Sequence, residues 1–145
     1  MKTFACAALA AISMASKEGF PKDDAFHADC HVNAVFQASC DQVYSKMDSD
    51  IRSYNTDETS PSQGVYTLKE ESENEYIWST RLTKNKQYTD DQLFNFTQSD
   101  AAVCTVVGHS RSQSMSVYDY SVNFCNLWNV YNGLGIDFTY SVPKG

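Results

Sequence analysis

Glu75–Thr83 (EYIWSTRLT), Thr89–Thr97 (TDDQLFNFT) and Ala102–Arg111 (AVCTVVGHSR) are three strand-like runs rich in aromatic and β-branched residues. Turn chemistry at Lys84–Lys86 and Gln98–Ala101 separates them, and a fourth run, Val65–Lys69, precedes them across Glu70–Asn74. Breaks this short join antiparallel neighbours, because a parallel pair needs a crossover of about a dozen residues or more. The stretch therefore predicts a four-stranded antiparallel meander. Its acidic break, Lys69–Glu75, reads as a solvated hairpin tip, since it lacks the ligand spacing of a hard-cation loop.

Upstream, Phe26, Ala28, Cys30, Val32, Ala34 and Phe36 alternate with His27, Asp29, His31, Asn33, Val35 and Gln37, which predicts a half-buried strand. Cys30 falls on its inner side, and His27 and His31 on the wetter one. Ser39 is a natural N-cap for a helix of about four turns, whose stripe is Cys40, Val43, Tyr44, Met47, Ile51 and Tyr54. Asn55–Gly64 reads as an exposed loop. Downstream, a serine-rich bend at Ser112–Ser116 leads through Asp119 to a second amphipathic stretch with Val122, Cys125, Trp128 and Tyr131, interleaved with Phe124 and Leu127. Gly133 and Gly135 stop it, and Ile136–Val142 alternates as a last edge strand. The expected fold class is α+β: an antiparallel sheet of five or six strands with two helices on one face, in the order β-α-β-β-β-β-α(-β).

The first fifteen residues carry Lys2, an apolar run from Phe4 to Ile12 and small residues at Ser13 and Ala15. This is the pattern of a secretory signal peptide, and the apolar run is too short to span a bilayer. Residues 16–25, broken by Gly19 and Pro21, read as a mobile leader, and residues 26–145 as one domain. Cleavage after Ala15 removes Cys6 and leaves four cysteines, Cys30, Cys40, Cys104 and Cys125. In an exported chain an even count predicts two disulfides. Three connectivities are open; a local Cys30–Cys40 bond needs a bent strand, which favours crossed pairing. Close C-x-x-C spacing is absent, so no metal or cofactor is expected. Asn95-Phe96-Thr97 is a glycosylation sequon.

The chain has 145 residues, 42% of them hydrophobic and 13% aromatic, which suits one packed core. Eleven basic against eighteen acidic residues argue against binding a phosphate backbone or an anionic membrane, so nucleic acid is not an expected partner.

The aromatic strand Glu75–Thr83, the Tyr88-Thr89-Asp90-Asp91 turn, Ser110-Arg111-Ser112, and Asp119 with Asn123 four residues on resemble the uncharacterised family known as domain of unknown function 1499. The likeness covers roughly residues 40–132. Cys125, Asn126 and Leu127 stand where that family carries basic residues, which with the four cysteines points to a secreted branch. The resemblance implies a fold and no activity.

Asp90 and Asp91 are consecutive in a strand, so their side chains point to opposite faces and they cannot form a paired-carboxylate site by themselves. A polar network of Arg81, Asp90, Asp91, Arg111, Asp119 and Asn123 is the candidate site, either for an anion or sugar or as a structural tie. His109, near Ser110 and Ser112, lacks a nucleophile turn, so hydrolysis ranks third among the functions considered. The leading expectation is a non-enzymatic secreted module that binds an apolar or amphipathic small ligand between sheet and helices. The second is an extracellular structural or adhesive protein that self-associates through aromatic surface.

Overall fold

The computed structural model of the chain describes residues 17–116, 118 and 120–143. The expected signal peptide, Cys6 and Asp119 lie outside the described residues. The elements are β1 (Asp29–Phe36), α1 (Cys40–Ser53), β2 (Val65–Ser72), β3 (Tyr76–Leu82), β4 (Thr89–Asp100), β5 (Val103–Ser112), α2 (Val122–Gly133) and β6 (Phe138–Ser141). The strands form one six-stranded sheet in the order β2-β3-β4-β5-β1-β6, with every pairing antiparallel. The α+β class and the element order are as the sequence predicts.

Strand alternation sorts the side chains. Val32, Ala34 and Phe36 of β1, Ile77 of β3, Phe94 and Phe96 of β4, and Val106 of β5 point to the helix side and are buried with both helices. Ser39 caps α1 through a reciprocal pair with Gln42, and α1 contributes Val43, Tyr44, Met47 and Ile51 to the same core. The deep space between sheet and helices is thus filled. Tyr131 of α2 is packed edge-on to Phe36 and Phe94, and its hydroxyl donates to the Val32 carbonyl at 2.9 Å. It lies directly over Gly108 of β5, where any Cβ would collide with that hydroxyl. Burial raises the Tyr131 phenol well above its ordinary range, so it stays a donor.

Of the two expected disulfides, one is formed: Cys40, the first residue of α1, is bonded to Cys104 near the start of β5. The pairing is non-local and is not part of the crossed arrangement that the sequence favoured. Cys30 and Cys125 remain thiols; Cys30 is half-buried under the helices, whereas Cys125 is exposed. The reason lies in how α2 sits. Its buried face is Asn123, Asn126, Leu127, Val130 and Tyr131, so Cys125 is carried to the opposite side, away from the stripe the sequence assigned to it.

The acidic run is also more structured than expected. Strand β2 continues to Ser72, past an irregularity at Leu68/Glu70. Glu70 pairs with Lys17 at 2.8 Å, and Glu71 pairs with Arg52 at 2.6 Å and accepts from the Tyr44 hydroxyl at 3.1 Å. Asn95, the sequon residue, is half-buried in mid-β4 between Tyr76 and Val107.

The sheet's other face is crossed by residues 17–25, the segment expected as a leader ahead of the fold. Phe20 is buried against Trp78, Leu93 and His109. Asp24 pairs with Arg111 at 2.6 Å and contacts the His27 ring at 2.8 Å; the hydrogen bonds from His27 and the Phe26 amide, with Arg111, hold its carboxyl well below the ordinary range. Burial first, then the facing His31, push His109 down to about 4.

Two outcomes test this packing. Gly108→Ala is expected to cost about 1–3 kcal/mol by overpacking, and Tyr131→Phe in the same chain should recover part of that loss, so the urea midpoints of the two changes will be non-additive. Replacing Cys40 and Cys104 by Ala opens a closure spanning 64 residues. The expected loss is about 4 kcal/mol, read as a lower melting temperature insensitive to reductant.

Candidate functional site

The predicted polar network is divided between the two faces of the sheet. Arg81 lies opposite Asp90 in the β3–β4 register, and Asp91 opposite Arg111 in the β4–β5 register. Arg81 and Asp90 point to the helix side and Asp91 and Arg111 to the other, so no single site collects all four. On the outer side Asp91 accepts from the Trp78 indole at 2.8 Å and from Gln113 at 3.0 Å, and lies 3.6 Å from Lys69, whose ammonium sits over the Trp78 ring. Arg111 is tied to Asp24.

On the helix side the geometry closes on itself. Ser110 donates to the Asn123 side-chain carbonyl at 2.7 Å, and the Asn123 amide donates to the Ser112 hydroxyl at 3.3 Å. Ser112 donates to Asp90 Oδ1 at 2.9 Å, the Asn126 amide donates to Asp90 Oδ2 at 2.8 Å, and the same amide reaches the Ser110 hydroxyl at 3.3 Å. All five side chains are buried. Asn123 also donates to the Ala28 carbonyl at 3.1 Å, so the ring fixes the first turn of α2 to three strands or their continuations. Asp90 and Asn123 are among the residues the sequence predicts; Ser110 and Ser112 are not. Asn126 is not among the predicted residues, although an Asn three positions after Asn123 on a helix is the signal that would find it.

Above this ring the sheet opens into a cleft of about 270 Å³. Asp90 and Ser112 form its floor, Thr83 of the β3–β4 turn and Val122 of α2 its sides, and Tyr88, Met115, Tyr118 and Tyr120 its rim. Those four are among the seven exposed large hydrophobic side chains of the described residues, with Tyr118 at 81% and Tyr120 at 93% exposure. Tyr120 and Ser121 both take left-handed backbone angles as the chain turns into α2, a conformation uncommon for non-glycine residues. A second, more open groove shares Thr83 and Val122 with the cleft and adds Arg81, Lys84 and Asn85. Arg81 donates to Ser62 through Nε at 2.8 Å and Nη2 at 3.0 Å, while its enclosed Nη1 makes no hydrogen bond among the described residues. The arrangement offers apolar contact at the rim and hydrogen-bonding groups below it.

No family model matches the chain, and neither does any curated protein. Among solved structures, it is similar to a conserved protein from Geobacillus kaustophilus at TM-score 0.48 and 4% identity, covering 77% of this chain and 99% of that one. It is also similar to the ZhuI aromatase/cyclase from Streptomyces sp. R1128 at TM-score 0.41 and 10% identity, covering 75% of this chain and 94% of that one.

Asn126→Leu removes the amide from a buried carboxylate and is expected to cost about 3 kcal/mol, read as a lower urea midpoint with unchanged slope. A change below about 0.5 kcal/mol would show that the ring does not hold α2.

Proposed function

We propose that the protein is a secreted, non-enzymatic module that binds a small amphipathic ligand at the mouth of the sheet, beside the start of α2. The observation that carries this reading is the cleft itself: four exposed aromatic or thioether side chains ring a polar floor of buried Asp90 and Ser112. Exposed aromatic rings beside fixed polar groups are the usual composition of a small-molecule site, where apolar area provides affinity and a few polar groups set orientation. Side chains fill the interior between sheet and helices, and the cleft lies at the open end of the same layer. Export is supported by the N-terminal sequence pattern and by the Cys40–Cys104 bridge; among the described residues no helix is long and apolar enough to cross a membrane.

Titration with 1-anilinonaphthalene-8-sulfonate, an anionic aromatic amphiphile, and with neutral N-phenyl-1-naphthylamine tests the reading. Saturable fluorescence enhancement is expected with at least one probe, weakened about tenfold or more by Tyr88→Ser with Tyr120→Ser, since two exposed aromatic contacts contribute about 1 kcal/mol each. Absence of saturable binding by both probes, combined with concentration-dependent dimers in sedimentation, would replace this reading by self-association through the same aromatic rim.

A further inference from the structure

The outer face of the sheet holds a cluster that neither the ligand cleft nor the polar ring uses. The antiparallel register of β1 and β5 sets His31 directly opposite His109, and their rings stack with centroids 3.9 Å apart and planes 18° from parallel. Both Nε2 atoms turn toward one carboxylate from the segment that crosses this face: Asp23 Oδ2 is 2.9 Å from His31, and Asp23 Oδ1 is 2.8 Å from His109. Asp29, two residues before His31 on the same side of β1, completes a set of four ligand atoms lying within 4.8 Å of one another.

A second observation is independent of the clustering. His109 is only 9% exposed, and its Nε2 finds no hydrogen-bond partner among the described residues; the Asp23 oxygen is near but not aligned for a hydrogen bond. A buried imidazole nitrogen left without a directional partner is costly. It belongs to a residue whose ligand atom lies within 4.8 Å of those of Asp23, Asp29 and His31.

We propose that Asp23, Asp29, His31 and His109 form a divalent transition-metal site, with zinc as the ion that fits best. Two imidazole nitrogens and two carboxylate oxygens are a borderline donor set. Calcium and magnesium call for six or more oxygens, whereas zinc takes four ligands of this mixed kind in a tetrahedron. Ligands of tetrahedral zinc stand about 3.3 Å apart, so closing the present set takes shifts of about 1 Å. Two carboxylates also neutralise the ion on a face where Asp24 is already held by Arg111 and His27. Four protein ligands leave no open position, so the ion is structural. It clamps residues 17–25 across β1 and β5 and holds Phe20 against Trp78.

The test uses the full chain stripped with chelator and titrated with zinc chloride by calorimetry, alongside metal analysis of the untreated protein. One zinc per chain is expected, with a melting temperature that rises with zinc as mass action requires, and cobalt should give the intense visible bands of a tetrahedral site. His31→Gln and Asp23→Asn should each weaken zinc about 100-fold or more while circular dichroism stays that of the wild type. Both residues are partly exposed, so these variants are expected to fold even if His109→Gln does not. Zinc binding that is absent, or equally tight in His31→Gln and Asp23→Asn, overturns the proposal; in the latter case the Cys30 and Cys125 thiols are the alternative ligands.

Discussion

The closed ring of Ser110, Asn123, Ser112, Asp90 and Asn126 is the constraint on which the arrangement of this domain turns. A carboxylate as buried as Asp90 is tolerable only when its oxygens accept well-placed hydrogen bonds. The donors are Ser112 at the end of β5 and Asn126 in the second turn of α2, which ties the helix to one rotation and one register. That rotation places Asn126 inward, Tyr131 over Gly108, and Cys125 outward. It also explains the low amphipathic contrast of α2: its inner face begins polar and becomes apolar only from Leu127 onward, because it meets first the ring and then the core.

The same ring makes the cleft. Polar side chains at the end of the β4–β5 pair cannot be covered by aliphatic packing, so the apolar core stops short of this end and the chain between β5 and α2 passes over it. Tyr88, Met115, Tyr118 and Tyr120 are left around the opening. A binding site at the mouth of a filled interior follows from where the core ends.

The outer face obeys a different logic. A six-stranded sheet with helices on one side leaves Trp78, Leu93 and His109 uncovered, and the segment before β1 covers them with Phe20, the Asp24–Arg111 ion pair and the Asp23 carboxylate beside His31 and His109. Charged residues are economical for this purpose: they anchor a short segment too poor in apolar area to hold itself down.

The sequence by itself determined the local elements. Period-two alternation, hairpin-length breaks and the Ser39 cap act over a few residues, and they specify the strands, α1 and the antiparallel order. It also named Asp90 and Asn123 of the ring, and alternation alone separated Asp90 from Asp91. The tertiary structure decided what depends on which residues meet across the sheet. Asn126 became a ring member, and Cys125 left the stripe, through the rotation of α2. Cys40 found Cys104 across the joint between α1 and β5. Asp23, read as part of a leader, came to lie between His31 and His109, which are far apart in sequence. Local pattern fixes the face a side chain takes, but its partner is fixed by register and docking, which no short window of sequence contains.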